Sequence, residues 1–206
     1  MSTTSNFNPD QNLPDYVLAL LNPTIYAFDV KQVHLIQTHI SYVFLADSRV
    51  YKTKKSVDFG FINQLDLEQR HKNCIREVDL NRRLAPDVYI DIVMVAKSQS
   101  GEYKIFTTDI PKNFVLIEYA VEMQLLPSEA ILANMLENDA MPKEFPQKIT
   151  ELLLNFHSKN ILQEPTIEFA GAPAVQLWWD REHQEASKFI GSTWNSNDAE
   201  DFISMI

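Results

Sequence analysis

The chain has 206 residues, 45% of them hydrophobic and 11% aromatic, enough for a sizeable core in one large domain or two small ones. Its formal net charge of −10 argues against nucleic acid as a partner, because affinity for phosphate backbones depends on lysine and arginine. Cys74 is the single cysteine, no apolar run approaches the roughly 20 residues of a membrane helix, and no signal peptide is evident, so we expect a cytoplasmic protein without a membrane partner.

The N-terminal part of the sequence predicts a polar tail, one short helix and then strands. The helix is predicted over Leu13–Leu21 and ends at Asn22-Pro23. Three strands rich in β-branched and aromatic residues follow, at Val33–Ile40, Tyr42–Leu45 and Val50–Thr53.

A helix is predicted next, with Asn63 as its cap and with apolar residues at helical spacing up to Ala85-Pro86. Three further strands are predicted at Val88–Val95, Tyr103–Phe106 and Phe114–Met123. The order of strands with one helix between them indicates an antiparallel sheet crossed by a single helix.

Beyond Leu126-Pro127 the pattern becomes helical. Helices are predicted at Ser128–Glu137, Phe145–Lys159, Pro173–Phe189 and Ser196–Ile206. The last of them ends on apolar residues without a glycine cap or a basic last turn, so we expect either a helix that is cut short or a contact surface for a partner chain at Phe202–Ile206.

Positive charge is concentrated in residues 49–84, which contain nine lysines and arginines against five acidic residues, a local charge of +4. Such a basic island in an acidic chain suits a small phosphorylated ligand, or else a solvated helix face paired with acidic neighbours.

Within this basic island, Lys52 lies on a predicted strand and Glu77 on the next helix. A phosphotransferase needs such a cation aimed at the nucleotide phosphates and a carboxylate that holds it. Val50 shares the strand face of Lys52 and could pack against adenine.

Four stretches carry a resemblance to a known family: THISYVFLADSRVYKTKKSVDFGF, CIREVDLNRRLAPDVYIDIV, IEYAVEMQLLP and LLLNFHSKN. They resemble the opening of the aminoglycoside-phosphotransferase-like family, whose fold is a variant of the protein-kinase fold. They are most similar to bacterial proteins that join such a domain to a P-loop ATPase domain. The resemblance runs from about residue 25 to the end of the chain, and its most specific part is residues 38–61.

The resemblance implies an α+β fold in three parts. Residues 1–24 form a tail and short helix, residues 25–126 a kinase-like N-lobe with about five strands and one crossing helix, and residues 127–206 the first helices of a C-lobe that stops before the catalytic loop. The implied cofactor is ATP, with magnesium held by ligands outside this chain. The implied nucleotide contacts are Lys52, Glu77, Val50, Ser41 in the phosphate-facing turn, and the hinge that includes Glu122, Met123 and Gln124.

Several features depart from the kinase pattern. The turn Thr38–Ser41 lacks the glycine-rich phosphate loop, although backbone and hydroxyl donors could substitute. Asp58-Phe59-Gly60 matches a metal-binding triplet but comes before the crossing helix, so it is predicted to be a plain connection in which Gly60 supplies a turn. None of the five histidines begins a His-x-Asp phrase, so no catalytic or metal-binding residue is expected here.

We therefore expect the ATP-binding part of a small-molecule kinase that is inactive as an isolated chain. Members of the fold phosphorylate aminoglycosides, sugars or choline-like alcohols. The acceptor pocket is built by the second lobe, so this sequence does not identify the acceptor. One alternative is a non-catalytic binding or regulatory module. A remote one is a magnesium-dependent nuclease, from the pattern of Pro86-Asp87 followed by Glu102-Tyr103-Lys104.

Overall fold

The computed structural model describes residues 13–160 and 171–204, which belong to two compact units divided between Lys143 and Glu144. The first unit is an α+β structure built on one antiparallel sheet of six strands. The strands are β1 (Val33–Gln37), β2 (Ser41–Ala46), β3 (Arg49–Lys54), β4 (Tyr89–Ser98), β5 (Tyr103–Phe106) and β6 (Phe114–Gln124).

The strand order in the sheet is β1-β2-β3-β6-β4-β5, so β3 and β6 lie at its centre. About five strands were predicted from the family resemblance, and the sheet has six because each of the six extended segments finds a pairing partner, including the short edge strand β5. A turn at Ser98–Glu102, with Gly101 at a φ of 90°, joins β4 to β5.

The described residues of the first unit, from Leu13 on, also contain three α-helices: α1 (Asp15–Leu20), α2 (Leu67–Arg82) and α3 (Leu132–Glu137). Short 3-10 helices cover Pro23–Ile25 and Ser128–Ala130. The strands therefore end at Gln124, near the predicted change at residue 127, whereas the division between the two units comes later, after α3.

Each face of the sheet is covered by a different helix. Val17 and Leu20 of α1 are fully buried in one core cluster with Phe44 and Val93. On the opposite face, Cys74 and Val78 of α2 form a smaller cluster with Val121 of β6. Burial raises the pKa of the Cys74 thiol to about 12, so this cysteine is a packing residue rather than a nucleophile.

The beginning of α2 differs from the sequence prediction. Asn63 was predicted as the cap, but its side-chain oxygen accepts a hydrogen bond from the Leu65 N–H at 3.1 Å, and the helix begins at Leu67. An asparagine that bonds the backbone two residues ahead forms a turn of its own, which delays the helix. The chain between β3 and α2 is therefore longer than predicted.

The second unit is helical, with α4 (Phe145–Ser158), α5 (Gly171–Ser187) and α6 (Ser196–Ser204). These helices agree with the predicted ones to within a few residues, although Met205 and Ile206 lie outside the described residues. No helix in the described parts of the chain combines the length and the apolar character needed to cross a membrane.

Candidate functional site

The structure brings Lys52 and Glu77 together. Lys52 is on β3 and Glu77 on α2, and the Lys52 Nζ donates a hydrogen bond to the Glu77 Oε1 at 2.8 Å. The Lys52 side chain lies on the face of the sheet that α2 covers, because its cross-strand partner Val121 packs against α2. Glu77 approaches it from the helix on that face. A strand lysine is thus held by a helix carboxylate, as the sequence predicted.

A second lysine, which was not among the predicted nucleotide contacts, binds the same carboxylate. Lys54 lies two residues after Lys52, on the same face of β3, and its Nζ donates to the other oxygen of Glu77. The Lys54 side chain is 6% exposed, compared with 27% for Lys52 and 11% for Glu77. The i, i+2 spacing of the two lysines could have suggested this contact, because alternate residues of a strand share one face.

The Glu77 carboxylate is ionised because of its two partners. Burial alone would raise the pKa of this carboxyl, but the hydrogen bonds from Lys52 and Lys54 and their positive charges outweigh burial and hold the pKa below its usual value. Among the described residues, Glu77 is the one acidic side chain within ion-pair distance of either lysine. The cluster therefore carries a net charge of about +1.

The lowered pKa of Glu77 predicts a pH-dependent contribution to stability. A carboxyl whose pKa is lower in the folded than in the unfolded state stabilises the fold at neutral pH, and this contribution is lost as pH falls below about 4.3 towards the folded-state pKa. We expect Glu77→Gln to reduce the free energy of unfolding at pH 7 and the difference from the wild-type protein to shrink below pH ~4. Urea unfolding at several pH values measures this, and a difference that does not change with pH would contradict it.

Val50 and Met123 form an apolar patch beside the lysine pair, in which Val50 is 8% exposed and Met123 packs partly against the α2 cluster. They are cross-strand partners on β3 and β6, and their side chains lie on the same face as Lys52. The alternation of β6 turns Glu122 and Gln124 to the opposite face, where Glu122 accepts a hydrogen bond from the Tyr51 hydroxyl at 3.0 Å. Of the three predicted hinge residues, Met123 alone therefore presents its side chain to the Lys52 side.

The backbone at the predicted hinge is largely engaged within the protein. The Gln124 N–H donates to the Val88 carbonyl at 2.8 Å, and the Leu125 N–H donates to the Ser48 carbonyl at 3.0 Å. These two amides are thus occupied in the sheet and its connections.

The turn that was predicted to face the phosphates is closed by its own side chain. The Thr38 Oγ1 accepts hydrogen bonds from the Ile40 N–H at 3.3 Å and from the Ser41 N–H at 2.9 Å. Ser41 is fully buried next to Lys54 on the neighbouring strand, and its hydroxyl oxygen has no hydrogen-bond partner among the described residues. His39, in the same turn, is exposed.

A buried polar network positions α2 and the segment before it. The Arg70 Nε donates to the Glu118 Oε2 at 2.8 Å, while the Arg70 Nη1 donates to the carbonyls of Gln64 and Leu65 at 2.9 and 2.6 Å. Burial raises the pKa of the Glu118 carboxyl, and the hydrogen bonds from the Tyr119 N–H and Arg70 offset only part of this effect. Arg70 therefore ties β6, α2 and the β3–α2 connection together.

The Gln64 side chain extends this network to the β1–β2 turn. Its amide lies 3.1 Å from the Ile40 carbonyl and 3.0 Å from the Lys55 carbonyl. Since both neighbours are acceptors, the amide nitrogen must face them. The turn at Thr38–Ser41 is thereby fixed to the end of β3.

The triplet Asp58-Phe59-Gly60 lies in the connection between β3 and α2, as predicted. Asp58 accepts hydrogen bonds from the Gly60 N–H at 2.9 Å and from the Asn63 side-chain amide at 3.3 Å, and Gly60 has a φ of 78°. The carboxylate of Asp58 is therefore used to shape a loop.

An open cleft of about 600 Å³ lies between this loop and α2. Its walls combine the exposed Phe61, several amide side chains and the exposed Arg76, and it extends to Lys54 and Glu77. The cleft thus reaches the lysine–glutamate cluster from the side of the helix.

The two carboxylates of the nuclease-like pattern are not brought together. Asp87 precedes β4 and Glu102 follows it, so the ten-residue strand separates them by about 30 Å. Lys104 forms an ion pair with Glu102 at 3.2 Å. Within residues 13–160 and 171–204 there is no group of three or more metal-binding side chains of the histidine, cysteine, aspartate and glutamate types.

The second unit contains the segment predicted to contact a partner, of which Phe202 is described. The Phe202 ring centroid lies 5.8 Å from those of both Trp179 and Trp194, and the residue is 40% exposed. Trp178 is 62% exposed. Phe202 thus packs against α5 and against the connection between α5 and α6, while part of its surface stays exposed.

Comparison with known proteins reveals relatives but no family. No family model matches the chain, and no solved structure matches it. Uncharacterized proteins of Mycobacterium bovis and of two strains of Mycobacterium tuberculosis are 30% identical to it over 123 residues, which is 60% of this chain and 22% of each relative. The matched part thus spans about a fifth of the length of these mycobacterial relatives.

Proposed function

We propose that the first unit is the ATP-binding part of a small-molecule phosphotransferase of the aminoglycoside-phosphotransferase-like type. The observation that carries the proposal is the 2.8 Å contact of the Lys52 Nζ with the Glu77 Oε1, which joins a central strand to the helix on its face. This is the arrangement needed to hold a cation for nucleotide phosphates. An antiparallel sheet crossed by α2 is compatible with a kinase-like N-lobe.

In this site, adenine would pack on the apolar patch formed by Val50 and Met123. The patch adjoins Lys52 on the same face, so a base packed there would direct its phosphates towards the ammonium group. Because the Gln124 and Leu125 amides are occupied, base contacts would come from packing and from backbone carbonyls.

The remaining parts of the reaction are assigned to polypeptide outside these 206 residues, either in the same protein or in a partner chain. The sequence has no His-x-Asp phrase to orient an acceptor hydroxyl, so the magnesium ligands and the acceptor pocket would be supplied there. The acceptor would be a small molecule with a hydroxyl group. The compartment would be the cytoplasm, a setting that the single cysteine suits.

Nucleotide binding tests the proposal directly. We expect calorimetry to show weak, millimolar-range binding of ATP, reduced at least about ten-fold by Lys52→Ala because a charged phosphate contact is lost. Lys104→Ala removes the same charge from an exposed, 50% accessible side chain on β5 and should leave the affinity unchanged. Equal affinity of all three proteins would contradict a phosphate contact at Lys52.

A phosphotransfer assay tests the assignment of the catalytic groups. We expect this polypeptide to transfer no phosphate from ATP to aminoglycosides, sugars or choline, since it has no group to orient the acceptor. Turnover that Lys52→Ala abolishes would show that this assignment is wrong.

One observation favours the alternative of a non-catalytic binding module. The Ile40 and Ser41 amides, which would be needed to hold phosphates in place of a glycine-rich loop, are bound to the Thr38 hydroxyl. Absence of binding at millimolar ATP would favour this module over the phosphotransferase.

A further inference from the structure

The connection between β3 and α2 presents two phenylalanine rings on an ordered turn. Phe59 and Phe61 stack with their ring centroids 6.1 Å apart, and Phe61 is 86% exposed. The turn is fixed by its own backbone, because the Phe59 N–H donates to the Ile62 carbonyl at 3.1 Å and the Gln64 N–H donates to the Val57 carbonyl at 2.9 Å. Phe61 therefore forms a preformed apolar wall of the cleft.

The opposite wall of the cleft is one face of α2. Gln69, Asn73, Arg76 and Leu80 line it at helical spacing, so their side chains lie along the same face of the helix. The Gln69 Nε2 donates to the Asn73 Oδ1 at 3.1 Å, and Leu80 is an exposed apolar residue. This wall therefore combines polar groups with an apolar side chain.

Arg76 differs from two other arginines of α2 in having no partner. The Arg70 Nε donates to Glu118 at 2.8 Å, and the Arg82 Nε donates to the Tyr89 carbonyl at 2.8 Å. Arg76 is exposed and has neither a hydrogen-bond nor an ion-pair partner within the described parts of the chain. A guanidinium presents paired N–H donors that match the two oxygens of a carboxylate or phosphate.

The charge around the cleft also favours an anion. Among the lining residues the one acid is Glu77, and it is already paired with Lys54 and with Lys52. The positive charge of Arg76 therefore has no counter-ion among the lining side chains. The volume of about 600 Å³ is that of a site for a small organic molecule rather than for an ion alone.

We propose that this cleft binds a small molecule that joins an aromatic ring to a carboxylate or phosphate group. The Arg76 guanidinium holds the anionic group, and the ring packs against Phe61 and Leu80. Lys52 does not line the cleft, so this binding leaves the Lys52–Glu77 contact in place and does not depend on a nucleotide.

Two anionic probes and a neutral one test this site. Phenyl phosphate and benzoate carry a ring and an anionic group, whereas benzyl alcohol carries the ring alone. We expect titration of the full chain with at least one of the anions to shift the NMR signals of the Arg76 Nε–H and the Phe61 amide. Benzyl alcohol should bind at least about ten-fold more weakly. Unchanged signals with both anions, or equally tight binding of benzyl alcohol, would overturn the proposal.

Variants of exposed residues, which should fold normally, locate the contacts. Arg76→Gln should weaken binding of the anion at least about ten-fold, because the charged contact is lost. Lys72→Gln removes the same charge from the same helix, at a 62% exposed side chain that does not line the cleft, and should change the affinity by less than about two-fold. Equal effects of these two variants would contradict a contact at Arg76.

Phe61→Ser tests the apolar wall separately from the charge. The wild-type protein should bind phenyl phosphate more tightly than inorganic phosphate, since only the first offers a ring to Phe61. In Phe61→Ser we expect most of this difference to disappear. A variant that keeps the full preference for phenyl phosphate would show that the ring does not pack on Phe61 and would overturn the proposed site.

Discussion

Replacement of Arg70 with leucine should lower the free energy of unfolding by about 3–5 kcal/mol, the cost of breaking a buried ion pair from one side. The Glu118 side chain is 3% exposed and would lose the guanidinium that contacts it at 2.8 Å. The carbonyls of Gln64 and Leu65 would lose a donor as well. Urea unfolding of both proteins at pH 7 measures the difference.

A second ion pair on the same helix provides the control for Arg70. Lys72 pairs with Glu68 at 2.6 Å, but the two side chains are 62% and 78% exposed, so Lys72→Leu should change the free energy of unfolding by less than about 1 kcal/mol. The loss in Arg70→Leu should also shrink as pH falls, because protonation of Glu118 removes the uncompensated charge. Equal effects of the two substitutions at pH 7 would contradict the role given to Arg70.

The double variant Arg70→Leu/Glu118→Leu separates the cost of an unpaired Glu118 charge from the loss of the Arg70 hydrogen bonds to the connection before α2. Replacing both partners of a buried ion pair with apolar residues is often far less destabilising than removing one of them. We therefore expect it to recover part of the stability. It should not recover the hydrogen bonds that fix the connection before α2, so exchange of the amides at residues 63–66 should remain faster than in the wild-type protein.

Replacement of Leu20 with alanine should cost about 2–5 kcal/mol, because it leaves a cavity under α1. Leu20 is fully buried in the cluster that contains Phe44 and Val93 of the sheet. Leu18 lies on the same helix at 53% exposure, so Leu18→Ala should cost less than about 1 kcal/mol. Thermal and urea unfolding of the two variants compare the same chemical change on the two sides of one helix.

The result for Leu20 bears on where the first unit begins. From the sequence, α1 was grouped with the tail, in residues 1–24, apart from the sheet. Because Leu20 of α1 is buried in the core of the sheet, its removal should destabilise the whole sheet, and hydrogen exchange should accelerate in β2 and β4 as well as in the helix. Destabilisation confined to α1 would show that the helix is an appendage.

The sequence by itself was sufficient for the elements of the first unit. Strand and helix periodicities are local properties, so the six extended segments and the helix between the third and fourth of them were located to within a few residues. The alternation along β3 also placed Val50 and Lys52 on one face. The start of α2 was predicted too early because Asn63 uses its side chain for a turn instead of a cap.

What only the tertiary structure decided is which distant residues meet. Arg70 and Glu118 are 48 positions apart, so their contact depends on how α2 crosses the sheet, whereas the pairing of Lys52 with Glu77, 25 positions apart, was already expected from the sequence and the family resemblance. The spacing along β3 puts Lys54 on the face of Lys52, but nothing local shows that Lys54 is buried or distinguishes Arg70 from the other arginines of the basic island, because burial is a property of the packed chain. Lys52 could be selected from the sequence. The second lysine, which holds its partner, became visible only when β3 and α2 were packed together.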